Sequence, residues 1–358
     1  MIFFIRFVTA TCLFAFLGKA NIWLTPLSNT LLAIGYRFFL ITSPLFSRLF
    51  GKYAITIALI ISTIGTLLFC LNGNYQMTIG SILVGIGFSV SGYLIKSEAA
   101  ETTTGAAHNK IALNAGSLAS GIVLLLSINS KDVFFFISAC VLFFIILFSI
   151  KNSIKKDIVL SIPKSFDKKR WFGWLFVGIA IGIKFFGVLS VLPQYILSTK
   201  HNLPNWYGIM IFINSGTVIL LQIPIIRLLD RFHPNNSVKI TFYLMLIGMI
   251  LIAFPQYFHA YTMIGAALWT IILSIIECFA SYLDAYGSKA GFLLVKETAV
   301  GIGAGLAVFF GRYFTSDVSS LLISGCGILS IILASILLNS DLLIKNFLNY
   351  SQEKNYLA

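Results

Sequence analysis

A rhythm of apolar runs, each about twenty residues long and separated by short polar loops, constrains this chain more than any other feature. A helix of that length crosses the hydrocarbon of a bilayer because every backbone N–H and C=O is bonded inside the segment. The runs are Ile2 to Trp23, Leu27 to Phe46, Tyr53 to Leu71, Met77 to Ile95, Ile111 to Ile128 and Val133 to Ile150. After a polar stretch come Trp171 to Leu197, Trp206 to Ile226, Val238 to Pro255, Tyr261 to Leu283, Thr298 to Phe314 and Val318 to Leu338. The pattern is six, a basic linker, and six. It predicts an all-α polytopic membrane protein with about twelve transmembrane helices. Residues 1–150 are expected to form one six-helix bundle and 171–340 a second. Residues 151–170 form a basic cytoplasmic linker between them, and 341–358 a cytoplasmic tail.

Composition closes off the soluble alternative. Only 10% of residues are charged and mean hydropathy is +0.94, whereas a soluble chain is about a quarter charged. The net charge of +13 invites a nucleic-acid reading, but the cations sit in short loops between apolar runs, as the positive-inside rule describes. With the N-terminus inside, the inner loops hold Arg48, Lys52, Lys96, Lys110, the seven linker cations, Arg227, Arg231, Lys239, Lys289 and Lys296. The outer loops hold only Lys131, Lys200 and Arg312. Both termini are therefore expected in the cytoplasm. The first run has one early cation, Arg6, and no small-residue cleavage site, so it reads as a spanning helix rather than a signal peptide. Trp23, Trp171, Trp174 and Trp206 lie at run ends and read as interface anchors. The five cysteines lack metal-like spacing.

Two loop segments repeat roughly half a chain apart. One is Ser43-Pro44-Leu45-Phe46-Ser47-Arg48-Leu49-Phe50-Gly51-Lys52, and the other is Arg227-Leu228-Leu229-Asp230-Arg231-Phe232. This resembles the loop signature of the major facilitator superfamily, Gly-x-Leu-x-Asp-Arg-x-Gly-Arg, which follows the second helix and recurs more weakly after the eighth. The first copy lacks the leading glycine, and the second has His233 and Pro234 in place of Gly-Arg. The resemblance implies two parallel six-helix halves that rock about a midplane cavity. It also implies a gating role for Arg48, Gly51, Lys52, Asp230 and Arg231. The fifth helix opens Asn114-Ala115-Gly116-Ser117 and the eleventh Gly301-Ile302-Gly303-Ala304-Gly305, small residues that let helices pack closely. The Gly-Pro pair of many drug exporters is missing from the fifth.

A charge in mid-membrane costs roughly 2.5–3.5 kcal/mol on insertion scales, so such residues are functional candidates. Arg37 lies about 15 Å from the inner lip at helical rise. Lys184 is near the middle of the seventh run and Glu277 in the inner half of the tenth. Lys19 and Arg6, at the two ends of the first run, are placed to snorkel. Lys184 and Glu277 are expected either to pair or to serve the cavity. Arg37 has no carboxylate at its own depth, and a guanidinium grips a carboxylate or phosphate through two parallel bonds. The expected substrate contacts are Arg37, Lys184 and Lys19, together with Asn114 and Asn214, because the resemblance implies that the fifth and eighth helices approach the cavity. Glu277, the only deep carboxylate in this reading, is the proton carrier.

No phosphate-cradling loop is present, which argues against direct ATP use. His108, His201, His233 and His259 are scattered, and no catalytic triad spacing appears. The chain reads as a non-enzyme with no metal and no cofactor. It is expected to be a monomeric secondary transporter in a bacterial inner membrane, coupled to protons and moving a small organic anion or a carboxylate-bearing metabolite or siderophore. The 33 phenylalanines support an alternative, the efflux of lipophilic compounds. A transporter-like receptor or inactive scaffold is a further rival.

Overall fold

The computed structural model describes residues 2–71, 73–125, 130–151 and 167–338. The body of the basic linker (residues 152–166) and the tail beyond residue 338 lie outside the described residues. Among those described there is no strand. Ten stretches are long and apolar enough to cross a membrane. One of them, Pro26–Leu68, is a 43-residue stretch that divides into more than one helix. A further helix, Thr103–Leu125, falls short in apolar length because it carries His108, Asn109, Lys110 and Asn114. These two facts account for the difference from twelve.

The helices fall into two compact units. The first contains α1 (Ile2–Trp23), α2 (Pro26–Phe38), α3 (Ser43–Phe50), α4 (Ala54–Leu68), α5 (Asn74–Ala99), α6 (Thr103–Leu125) from His108 onward, and α7 (Lys131–Lys151). Thr25 caps α2 through the amide of Ser28, with Pro26 in the first turn, where its missing N–H costs nothing. The second apolar run does not continue as one helix. A 3-10 segment, Phe39–Thr42, links α2 to α3, and α3 starts afresh with Pro44 in its first turn. Gly51, at φ +48°, then ends α3.

The core of this unit is aromatic. Phe16 meets Phe69, Phe88, Phe134 and Phe135 edge-on, at centroid distances of 5.4 to 6.5 Å. Such pairs contribute about 0.5–1.5 kcal/mol each beyond their buried area. Glycines set the helix spacing. A Cβ on Gly87 of α5 would lie 2.5 Å from Ala58 O on α4, and one on Gly116 of α6 would lie 2.7 Å from Phe7 O on α1. In lipid, where apolar burial between helices gains little, this close packing holds the bundle.

The second unit contains Ala100–Ala107 together with α8 (Lys168–Lys200), α9 (Tyr207–Leu229), α10 (Pro234–Ala253), α11 (Met263–Ala280), α12 (Tyr282–Lys289), α13 (Leu293–Tyr313) and α14 (Ser316–Leu338). Asp167 caps α8 by accepting from the amides of Lys169 and Arg170, and α8 ends at left-handed His201. Its most extensive packing is along α13 and α14. The α8–α13 seam is backbone against backbone. A Cβ on Gly178 would lie 2.2 Å from Lys296 O, one on Gly182 would lie 2.2 Å from Val300 O, and one on Gly303 would lie 2.1 Å from Ile179 O. Large apolar side chains such as Leu220 and Ile264, each 75% exposed, point outward, as lipid-facing residues do.

Trp174 corrects one expectation. It is fully buried, tilted against Tyr286 with its ring close to Gly287, and is no interface anchor. Gly287 leaves room for the indole where a larger residue would not.

Candidate functional site

The second unit gathers three of the expected site residues along two turns of α11. Lys184 of α8 is 2% exposed, and its ammonium donates to Leu273 O at 2.7 Å. The stem of Lys184 passes Gly248 of α10, where a Cβ would lie 3.4 Å from Cε. Asn214 of α9 accepts from Ser274 Oγ at 2.7 Å. Glu277, one turn beyond Leu273 on α11, is 5% exposed. A cation and an amide thus meet consecutive turns of the helix that carries the carboxylate. Gln222 of α9 extends the polar seam, donating to Cys278 O at 3.0 Å and to Ser281 Oγ at 2.7 Å. Lys184, Asn214 and Gln222 each bond a carbonyl or hydroxyl group on or next to α11.

In the first unit the candidates are not gathered in this way. Arg37 closes the last turn of α2, half-buried, with its guanidinium over the Tyr36 ring at 5.1 Å. Lys19 is half-buried with its ammonium over the Trp23 ring at 4.8 Å. Asn114 is buried and donates to Lys110 O at 3.0 Å, one turn back on its own helix.

The loop-signature residues lie at helix ends. Arg48 and Lys52 are exposed on either side of Gly51, with the Lys52 ammonium over the Tyr53 ring at 5.0 Å. Asp230 and Arg231 are exposed at the end of α9. Within the second unit, Asp230 accepts from Thr103 Oγ1 at 3.0 Å.

Two features escaped the sequence reading. Lys296, expected in an inner loop, lies inside α13 and is fully buried. Its ammonium bonds both Asp284 of α12 and its chain neighbour Glu297, each 5% exposed. Glu277 is therefore not the only buried carboxylate. The apolar run starts at Thr298, but α13 begins at Leu293 and carries the charged pair into the bundle. An adjacent Lys-Glu pair at the edge of an apolar run was the available signal. The second feature is Arg6, expected to snorkel but only 6% exposed.

No protein-family model and no curated protein matches the sequence. Solved structures do match. The human organic anion transporter MFSD10 (TETRAN) superposes with a TM-score of 0.64 at 15% identity, over 93% of this chain and 98% of that one. The Escherichia coli fucose:proton symporter FucP gives 0.63 at 15% identity, over 94% and 96%. A peptide transporter, POT, gives 0.63 at 12% identity, over 96% and 94%. Identity this low speaks for architecture alone, and over nearly its whole length the chain has the fold of the major facilitator superfamily.

Proposed function

We propose that the chain is a secondary transporter that works by alternating access, moving a small organic anion or another carboxylate-bearing solute in exchange or symport with protons. The observation that carries this reading is the pairing of depth and polarity on α8 and α11. Lys184 and Glu277 are both buried, and the lysine is bonded one turn from the carboxylate. Charges held so deep in a membrane helix are costly and mark solute or proton paths. The three similar structures are described as an organic anion transporter, a fucose:proton symporter and a peptide transporter. The fold therefore accommodates both proton coupling and anionic solutes.

In this reading a solute carboxylate draws Lys184 away from Leu273 O, and Glu277 carries the coupled proton. Arg37, Lys19, Asn114 and Asn214 supply further solute contacts. Residues 1–150 and 171–340 act as the two rocking bundles, with Arg48, Gly51, Lys52, Asp230 and Arg231 at the gate. Both termini face the cytoplasm of a bacterial inner membrane, and the working unit is a monomer.

The test is uptake of labelled organic acids into proteoliposomes under an imposed pH gradient. Wild type should accumulate at least one acid in a gradient-dependent manner. Glu277→Gln should still bind that acid and lose the pH dependence, because the amide mimics the protonated acid and releases no proton. Flux that ignores the gradient, or a Glu277→Gln variant with an unaltered pH response, would overturn the coupling assignment. Movement of lipophilic dyes in place of acids would favour efflux.

A further inference from the structure

We propose that Arg6 of α1, seated against Gly92 of α5, is an oxyanion-binding site within the first unit, taking a carboxylate or phosphate group. Three buried cations can be compared. Lys184 has a carbonyl acceptor, and Lys296 has two carboxylates. Arg6 is 6% exposed, its Nε is buried without a hydrogen-bond partner, and no ion pair holds it among the described residues. A buried lysine can shed its charge by losing a proton, whereas a guanidinium stays charged in proteins. An uncompensated buried charge is among the costliest defects a fold can carry. No described residue supplies the compensating group for Arg6, and in the proposed site a bound anion takes that part.

The space beside the guanidinium is built in. A Cβ on Gly92 would lie 2.6 Å from Arg6 Nη1, so glycine is what admits the side chain to this position. The planar fork of arginine matches the paired oxygens of a carboxylate or phosphate. The same chemistry is offered by a small solute and by an anionic lipid headgroup. The site stands on burial and geometry rather than on transport, and it exists whether or not its ligand is moved.

The experiment is thermal unfolding of the purified full chain in neutral detergent. Phosphate and citrate are compared with chloride at equal ionic strength, and the series is repeated in nanodiscs of phosphatidylcholine with and without phosphatidylglycerol. Wild type should be stabilised by an oxyanion in one of the two settings. Arg6→Met should melt above wild type in chloride, because it removes an unpaired charge, and should lose the oxyanion response. Arg6→Lys, which folds with the charge retained, should need about ten- to a hundredfold more anion for half the effect. Gly92→Ala, which crowds Nη1, should also weaken the response. Stabilisation by phosphate or citrate in detergent assigns the ligand to a solute, and stabilisation by phosphatidylglycerol alone assigns it to a lipid headgroup. The proposal fails if wild type responds to neither, if Arg6→Met responds as wild type does, or if Arg6→Met melts lower in chloride. The readout is binding, so a chain that moves no solute but passes this test keeps the site and loses only the transport reading.

Discussion

Removing the ammonium of Lys296 should cost far more than removing all three charges it belongs to. The lysine is fully buried, and its two carboxylates, Asp284 and Glu297, are 5% exposed. Lys296→Met keeps the length of the side chain and leaves two buried carboxylates without the cation they share. Breaking a buried ion pair from one side costs about 3–5 kcal/mol, because the remaining charge keeps its desolvation penalty and loses its attraction. Two carboxylates next to each other add mutual repulsion. For a unit of this size the loss corresponds to a melting shift on the order of ten degrees.

The triple variant Lys296→Met, Asp284→Leu, Glu297→Met removes penalty and attraction together. It should fall within about 1–2 kcal/mol of wild type, because apolar replacements of buried ion triads are often neutral or better. The asymmetry lies in the coupling between the three sites, which a set of single, double and triple variants isolates. The assay is thermal or denaturant unfolding in detergent, followed by tryptophan fluorescence, for which buried Trp174 and Trp269 are reporters. A Lys296→Met loss below about 1 kcal/mol would mean that the ion pairs exchange freely with water. A triple variant as unstable as the sum of the singles would mean that the three charges act independently. Either result refutes the reasoning.

Two glycines on one helix make a matched test of the α8–α13 seam. Gly303→Ala sets a methyl 2.1 Å from Ile179 O and 2.9 Å from Ile183 N, backbone atoms that cannot rotate aside, whereas Gly305→Ala meets nothing within 4 Å. The first should lower the melting temperature by an overpacking cost of about 1–3 kcal/mol or more, and the second should leave it unchanged or raise it, since alanine is the better helix former. Equal melting temperatures would show that the helices part easily. At the end of α9, Asp230→Asn retains an oxygen that can accept from Thr103 but loses the charge. It should slow turnover in proteoliposomes while leaving expression and solute affinity nearly intact, and normal turnover would reduce Asp230 to a surface charge.

The apolar runs made most of the helices legible, since their boundaries follow directly from what lipid permits. Ile2–Trp23 is the same in the run and in the helix. The runs failed where two physical rules compete. Leu27 to Phe46 is continuous in hydropathy, yet α2 stops at Phe38 and the chain passes through a 3-10 segment before Pro44 opens α3. Likewise Tyr261 to Leu283 is one run, but α11 ends at Ala280 and α12 starts at Tyr282. Deep charges inside a run, Lys184 and Glu277, stood out against their surroundings. Lys296 did not, because a cation at the edge of a run looks like a topological anchor. Only the fold shows that the break between α11 and α12 returns Asp284 to face it, twelve residues back in the chain. The burial of Arg6 is hidden for a similar reason: hydropathy reports depth along a helix, and burial depends on which neighbour the side chain meets.

The relation between the two units is clearest in their packing, where sequence likeness is faint. In the first unit, Gly116 of α6 sits over a groove of α1 between Phe7 O and Thr11 N, a carbonyl and the amide four residues on. In the second, Gly303 of α13 sits over a groove of α8 between Ile179 O and Ile183 N, again four apart, and Gly182 returns the contact between Val300 O and Ala304 N. The same device joins the first long helix of each unit to a later one, although the surrounding residues differ. A second pair of helices packs differently in the two units. α2 meets α5 where Gly35 and Gly85 bring backbones together, with Ser28 and Thr78 also hydrogen-bonded, while the α9–α11 seam is held by Asn214 on Ser274 and by Gln222 on Cys278 and Ser281. A glycine contact has one tight geometry, but side-chain hydrogen bonds can be exchanged for others at little net cost. Close glycine packing therefore gives each unit its frame. The polar contacts of the α9–α11 seam lie beside Lys184 and Glu277, where the proposed solute and proton would be taken up and released.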